Sequence, residues 1–430
     1  MRPWFDWMAV RFVTQWYFPL SRAWAAGLAA NGSVDEFQAL LGPAAEGLPK
    51  ADTILETLVR KRRLYEAADG GWCDAFFGGA DVDPDSLVTR EIARFKAAAD
   101  LMAMRRSFRP LRKSVPQVDW AVAKPADVQA QHGLRLQVEA NSYAAPAPVE
   151  MEQSRPVQGA KGEEFWIRMP SPVRSMGDTA WARVFMPAER PVRGVVVSLH
   201  GVIMEPEMWP LADLSDGLVD RGFCVVRPEA PWHGRRRLDG YFGGEPMFAR
   251  GMLGFVELFE AWVLETALWI GWARGALSDR VALGGISLGA LTAQIAASVC
   301  HYWPEDMRPD GAFLITTTGD LMDGALRGSL AELLGVTEQL ADAGWTEGEI
   351  DRWRPLVEPA ESPALDPGRI VMVLGDADTV TPFAGGMNLA RRWNIPAENL
   401  FVGHQGHFSS ALGLYRNTAP VDRAADIFAA

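Results

Sequence analysis

The sequence predicts an α/β protein, in which a mostly parallel sheet is covered by helices on both faces. A helical N-terminal extension precedes the sheet, and a helical insertion interrupts its last part. Three observations lead there. From about residue 163, short apolar, β-rich runs recur, each separated from the next by room for a helix. Continuous runs of that kind are strands buried on both faces, as parallel sheets require. Val281-Ala282-Leu283-Gly284 leads straight into Gly285-Ile286-Ser287-Leu288-Gly289, and a helical pattern follows. Residues 1–115, in contrast, carry apolar residues at three- and four-residue spacing, the period of a helix.

Taken in order, residues 1–20 are aromatic-rich, and Asp6, Arg11 and Gln15 interrupt them. A signal peptide needs a clean apolar run after a basic start, so this stretch reads as a retained helix. It packs on its own domain or a second subunit, or touches a membrane surface, where Trp and Tyr sit well. Helices follow over 51–68 and 87–106, the second begun by Asp83-Pro84-Asp85-Ser86, which is helix-start chemistry. Residues 116–162 form a connecting segment: Pro116, Pro125, Pro146, Pro148 and Pro156 break every pattern, so a long surface connection is expected. The strands are Phe165–Met169, Trp181–Met186, Gly194–Leu199, Phe223–Arg227, Val281–Gly284, Ala312–Ile315, Ile370–Leu374 and Leu400–Val402. A nearly all-apolar helix spans 248–273, another spans 289–303, and residues 320–366 read as an acidic helical insertion with Trp345 and Trp353. The catalytic unit is thus expected over 163–430. Its insertion follows the sixth strand, at the sheet end where α/β proteins bind ligands.

Composition excludes several classes. Acidic residues outnumber basic ones 54 to 42, a net charge of −12, which opposes nucleic-acid binding. Three separated cysteines, Cys73, Cys224 and Cys300, form no CxxC pair, so neither a disulfide framework nor a zinc site is expected. A reducing, cytoplasmic location is in keeping with that. No metal or cofactor is called for.

The chemistry centres on Ser287. A serine on a tight strand-to-helix turn needs flankers without side chains, here Gly285 and Gly289, and the turn lifts its hydroxyl above the sheet. The same glycines do not make a phosphate loop, because Ala290 stands where Lys is required. They do not match dinucleotide-binding spacing either. A serine hydroxyl needs a base, and it should follow the last strand. Gly403-His404-Gln405-Gly406-His407-Phe408 does so. His407 is the expected base, since Gly406 frees the loop to carry the ring over Ser287; His404 is the competitor. The orienting acid is expected in Leu374-Gly375-Asp376-Ala377-Asp378, with Asp378 first and Asp376 or Asp320 as alternatives. An oxyanion hole needs two backbone N–H groups, assigned to Leu288 and to Val202 in Leu199-His200-Gly201-Val202. His200, Trp232 and Arg235 are candidate substrate-binding residues. Arg235 would anchor a carboxylate or phosphate if it is not spent on the protein's own acids. Trp209, Trp232, Trp345 and Trp353 are expected to border an apolar pocket.

The Ser287 elbow, His200-Gly201, Gly375-x-x-Asp378 with Pro382, and Gly406-His407 together resemble the α/β-hydrolase superfamily over roughly residues 163–416. The resemblance implies an eight-stranded, mostly parallel sheet and a Ser-His-Asp triad that transfers an acyl group to water through an acyl-enzyme. Pro231-Trp232-His233-Gly234-Arg235-Arg236-Arg237, Arg391-Arg392-Trp393 and the helical extension look like the abhydrolase domain-containing protein 18-like group. The expected activity is carboxylic-ester hydrolysis of a small molecule with an apolar acyl or aromatic part. Amidase, thioesterase, peptidase or acyltransferase chemistry on the same residues is the alternative, as is a non-catalytic scaffold. Residues 1–30 are the expected site of a homo-oligomer or peripheral membrane contact.

Overall fold

A computed structural model describes residues 3–79, 81–137, 142–189, 191–204 and 215–430. The expected strands form one sheet: β3 (Glu163–Pro170), β4 (Thr179–Phe185), β5 (Val195–Leu199), β6 (Cys224–Pro228), β7 (Val281–Ile286), β8 (Ala312–Ile315), β9 (Ile370–Gly375) and β10 (Leu400–Gly403). Their spatial order is β3-β4-β6-β5-β7-β8-β9-β10. From β6 to β10 every pairing is parallel, while β4 runs antiparallel to both β3 and β6. This is the α/β-hydrolase fold. Two strands were not expected, β1 (Glu152–Gln153) and β2 (Val157–Gln158), which pair antiparallel with β3.

Helix boundaries moved where local chemistry overrode periodicity. The helix read over 248–273 is broken: Glu245–Ala249 ends before Gly251, whose φ is +59°, and Met252–Ala276 begins anew. A Cβ on Gly251 would lie 2.8 Å from a Val122 methyl, so the kink seats the connecting segment. The helix read over 51–68 runs on to Phe77, carried through Gly70-Gly71 by the buried Trp72 and Phe76. The helix Leu288–Val299 stops earlier than expected, giving way to a 3₁₀ turn before Pro304. Near the N-terminus, Pro19 has no N–H to offer Gln15. The chain opens into a π-turn over Val13–Tyr17, and the Arg112 guanidinium donates to the Gln15 carbonyl at 3.1 Å instead.

The extension and the sheet share one core. Phe18, Trp24, Phe37 and Leu58 are buried in the same apolar cluster as Trp262, Trp269 and the strand residues Val197, Leu283 and Leu314. The segment 116–162 is not a surface connection throughout. It holds a helix, Pro125–His132, and a buried Tyr143 whose hydroxyl donates to the Leu356 carbonyl at 2.5 Å. Its Ala- and Gln-rich sequence gave no sign of that anchor. The insertion consists of short helices from Leu321 to Val357.

Candidate active site

Ser287 sits between β7 and the helix Leu288–Val299 with φ 54° and ψ −119°, a backbone that side-chain-bearing residues rarely adopt. Its glycine flankers are sterically required. A Cβ on Gly285 would fall 2.3 Å from the Gly289 carbonyl oxygen, and one on Gly289 would fall 2.2 Å from that of Leu199. Helix and strand therefore meet backbone to backbone, and the hydroxyl projects from the crossing.

His407 and Asp378 converge on it. His407 Nε2 lies 2.8 Å from Ser287 Oγ, and Nδ1 lies 2.9 Å from Asp378 Oδ2. The His407 and Asp378 side chains are 7% and 3% exposed. A carboxylate at Nδ1 holds the ring proton there and leaves Nε2 free to accept from the serine. Asp378 is itself fixed. Its Oδ1 accepts the Val380 and Thr381 backbone N–H groups at 2.9 and 3.0 Å, and its Oδ2 accepts the Thr381 hydroxyl at 2.8 Å. Thr381 Oγ1 also stands 3.1 Å from His407 Nδ1. The competitors lie elsewhere. His404 is 79% exposed and bonds Asp376 at 3.0 Å. Asp320 faces Arg354 at 3.0 Å.

No protein-family model matches the chain, and no curated protein sequence does. Solved structures of esterases are similar to it. Acetyl xylan esterase 1 from Thermoanaerobacterium sp. JW/SL YS485 is 16% identical, with 73% of this chain and 97% of that one covered and a TM-score of 0.48. The acetyl xylan esterase of Paenibacillus sp. R4 is 14% identical over 73% and 96% of the two chains, with a TM-score of 0.47. A cold-adapted esterase from an Arctic intertidal metagenomic library is 16% identical over 64% and 97%, with a TM-score of 0.42.

The loop after β5 runs beside Ser287: a Cβ on Gly201 would touch Ser287 Cβ at 3.5 Å. The N–H groups of Val202 and Leu288 make no backbone hydrogen bond within the described residues, and both residues line the cleft. Two buried histidines brace this loop. His200 Nε2 accepts the Ala230 N–H at 3.0 Å and its Nδ1 donates to the Gly201 carbonyl at 2.8 Å. His233 Nε2 accepts the Ile203 N–H at 3.2 Å and its Nδ1 donates to the Pro231 carbonyl at 2.9 Å. These partners assign each tautomer. Burial first, and then the neighbouring His233, holds His200 well below the usual imidazole range, so it stays neutral.

A cleft of about 380 Å³ opens over Ser287. Its wall is mostly apolar, with Phe255, Leu291, Leu321, Leu330, Val380 and Phe408 among the lining residues. Ala9, Phe12 and Val13 of the N-terminal segment also line it, which the sequence did not indicate. Asp6, on the same segment, reaches the helix His407–Gly413. Asp6 Oδ1 accepts the N–H groups of Phe408 and Ser409 at 2.6 and 3.0 Å, and Oδ2 accepts the Ser409 hydroxyl at 2.5 Å. The signal was present: Asp6 is the lone acid in an aromatic helix.

Three expectations about the pocket are corrected. Arg235 is not in the cleft. It grips Asp69 at 2.5 Å and lies 4.6 and 4.4 Å over the Trp72 and Trp181 rings, with its side chain 9% exposed. Arg236 pairs with Glu265 and Asp178, each at 2.7 Å, and Arg237 lies 4.6 Å over Trp24. Arg235 and Arg237 thus tie the helical extension to the sheet-bearing part of the chain, while Arg236 pairs within that part, because buried guanidiniums need partners. Trp232 is buried at φ +63° and is absent from the cleft wall. Trp345 and Trp353 are core residues of the insertion, and the Trp345 indole N–H is spent on the Ala123 carbonyl at 2.8 Å. Trp209 lies outside the described residues.

Proposed function

We propose that the protein is a serine hydrolase that cleaves carboxylic esters with an apolar acyl or aromatic part, through an acyl-enzyme. The single observation that carries the reading is the hydrogen-bonded line from Ser287 Oγ through His407 to Asp378 at the base of an apolar cleft.

Ser287 Oγ attacks the ester carbonyl while His407 Nε2 takes the hydroxyl proton. Asp378 keeps the imidazolium oriented and offsets its charge. The tetrahedral oxyanion accepts the N–H groups of Val202 and Leu288, one such donor contributing roughly 10²–10³ in rate. His407 returns the proton to the departing alkoxide, so the alcohol leaves neutral and Ser287 remains acylated. Water then attacks, His407 takes its proton, and collapse releases the carboxylic acid and restores the serine. His200 and His233 contribute by holding the loop that carries the Val202 N–H. The cleft volume lies within the roughly 300–1,000 Å³ usual for small-molecule sites, and its apolar wall favours an apolar acyl group.

A fluorophosphonate probe should label the wild type at Ser287 and leave Ser287→Ala unlabelled. Matched ester, thioester and amide substrates should be cleaved in the order ester first. Equal labelling of Ser287→Ala, or faster cleavage of the amide, defeats the proposal.

A further inference from the structure

The helix Pro3–Phe12 turns an apolar side outward. Trp4, Trp7, Met8 and Phe12 are 61%, 61%, 49% and 59% exposed, whereas Asp6, Val10 and Thr14 are buried. The exposed positions fall at three- and four-residue spacing, one continuous stripe of a helix. Single exposed apolar side chains are ordinary, but a contiguous row beside a cleft marks a contact surface.

Three features identify what the row meets. The first is charge. The Arg11 guanidinium lies 4.2 Å over the Trp7 ring, and those of Arg112 and Arg109 lie 4.0 and 5.5 Å over Trp16, the next turn along. Lys113 is exposed and shares a surface depression with Gln15 and Arg112. None of these four cations pairs with an acidic side chain among the described residues, although the whole chain carries −12. Unpaired cations among Trp rings suit an anionic interface with aromatics at headgroup depth. The second is size. Ten helical residues present a face about 15 Å long and about 10 Å wide, far short of the roughly 800 Å² each partner of a stable complex buries. A bilayer needs no such area from the protein. The third is continuity. Phe12 belongs to the row and to the cleft wall, with Ala9 and Val13 beside it on that wall.

We infer that the helix Pro3–Phe12 docks the protein on an anionic lipid surface, with the mouth of the cleft opening beside that surface. Where the ester-hydrolase reading holds, the consequence is that an apolar ester enters along Phe12 without crossing water. The docking itself does not depend on that reading.

The test is co-sedimentation of the full chain with vesicles of phosphatidylcholine alone and of phosphatidylcholine with phosphatidylglycerol. The wild type and Ser287→Ala should bind the second vesicle equally and the first much more weakly. Trp4→Ser with Trp7→Ser should lose about tenfold or more in partitioning, while hydrolysing a short water-soluble ester as the wild type does. Arg11→Gln, Arg109→Gln and Lys113→Gln should each weaken binding about fivefold. No binding to either vesicle, equal binding of the tryptophan variant, or equal binding to both vesicles overturns the inference. So does a wild-type dimer that the tryptophan variant abolishes without any vesicle binding, since a second copy would then cover the row. Vesicle binding without ester hydrolysis would instead sink the function proposed above and leave the docking intact.

Discussion

Removing the carboxylate of Asp6 should impair His407, which lies at the far end of the chain. The helix His407–Gly413 begins with backbone N–H groups that have no partner of their own, and Asp6 accepts two of them together with the Ser409 hydroxyl. It acts as an N-cap delivered from another element. A cap is worth about 0.5–2 kcal/mol, and hydrogen bonds to a charged group are each worth about 1.5–3 kcal/mol. Asp6→Ala should therefore cost about 2–3 kcal/mol locally, felt first as fraying of the turn that carries His407. A loss of 1.4 kcal/mol in holding that ring is about tenfold in rate, so kcat per active site should fall about tenfold. Asp6→Asn, which keeps an acceptor oxygen, should retain most of it. The same contact explains Gly406: a Cβ there would lie 2.4 Å from the Asp6 carboxyl carbon, so Gly406→Ala should expel Asp6. The double variant should then be no worse than the more damaged single. The assay is kcat and KM on a soluble ester, normalised by fluorophosphonate titration, beside a thermal melt. A merely structural role would reduce the titratable enzyme and leave kcat per site untouched. That outcome, or additive effects of the two substitutions, refutes the reasoning.

Three further outcomes are expected. His407→Ala should lose at least about 10³ in kcat, whereas His404→Ala, whose ring is solvent-exposed against Asp376, should stay within about twofold; the reverse result would reassign the base. Arg235→Ala should destabilise the fold by about 1–3 kcal/mol in a denaturant melt, since it removes a mostly buried guanidinium from half-buried Asp69 and from the Trp72 and Trp181 rings, with KM unchanged; a raised KM at unaltered stability would return Arg235 to the substrate. Burial pushes the Glu245 carboxyl up from 4.5 to about 7, so its sign is that of a raised folded-state value. Its contribution is fully present below pH 4.5 and is lost as pH rises through about 7, because the unfolded chain sheds the proton first. Thermal stability should fall across that window in the wild type and fall less in Glu245→Gln; identical slopes would show that Glu245 is not the group responsible.

The strand runs and the serine turn were legible because their causes are local. A buried parallel strand must be apolar over a few consecutive residues, and a backbone held at φ 54° against a neighbouring strand demands glycines two positions away on either side. Residue order along the chain also narrowed the base to His404 or His407 and the acid to Asp376, Asp378 or Asp320. It put His407 and Asp378 first, but the loop path that separates them from their competitors is not written in residue order. His404 and Asp376 pair with each other in solvent, and His407 and Asp378 turn inward, a difference of loop path rather than of residue type. The 116–162 segment misled for a related reason: the side chains that anchor it, Val118, Val128 and Tyr143, are buried at scattered positions, and irregular spacing leaves no periodicity.

By itself the sequence determined the eight apolar strand segments, where the tight turn must fall, and which few side chains could act there. Each of those follows from neighbours along the chain. Only the tertiary structure decided that Arg235 serves Asp69 across 166 positions and Asp6 caps a helix 402 positions away. A lone charge carries no mark of its partner until packing withdraws both from water. At that point an unpaired charge becomes too costly to keep.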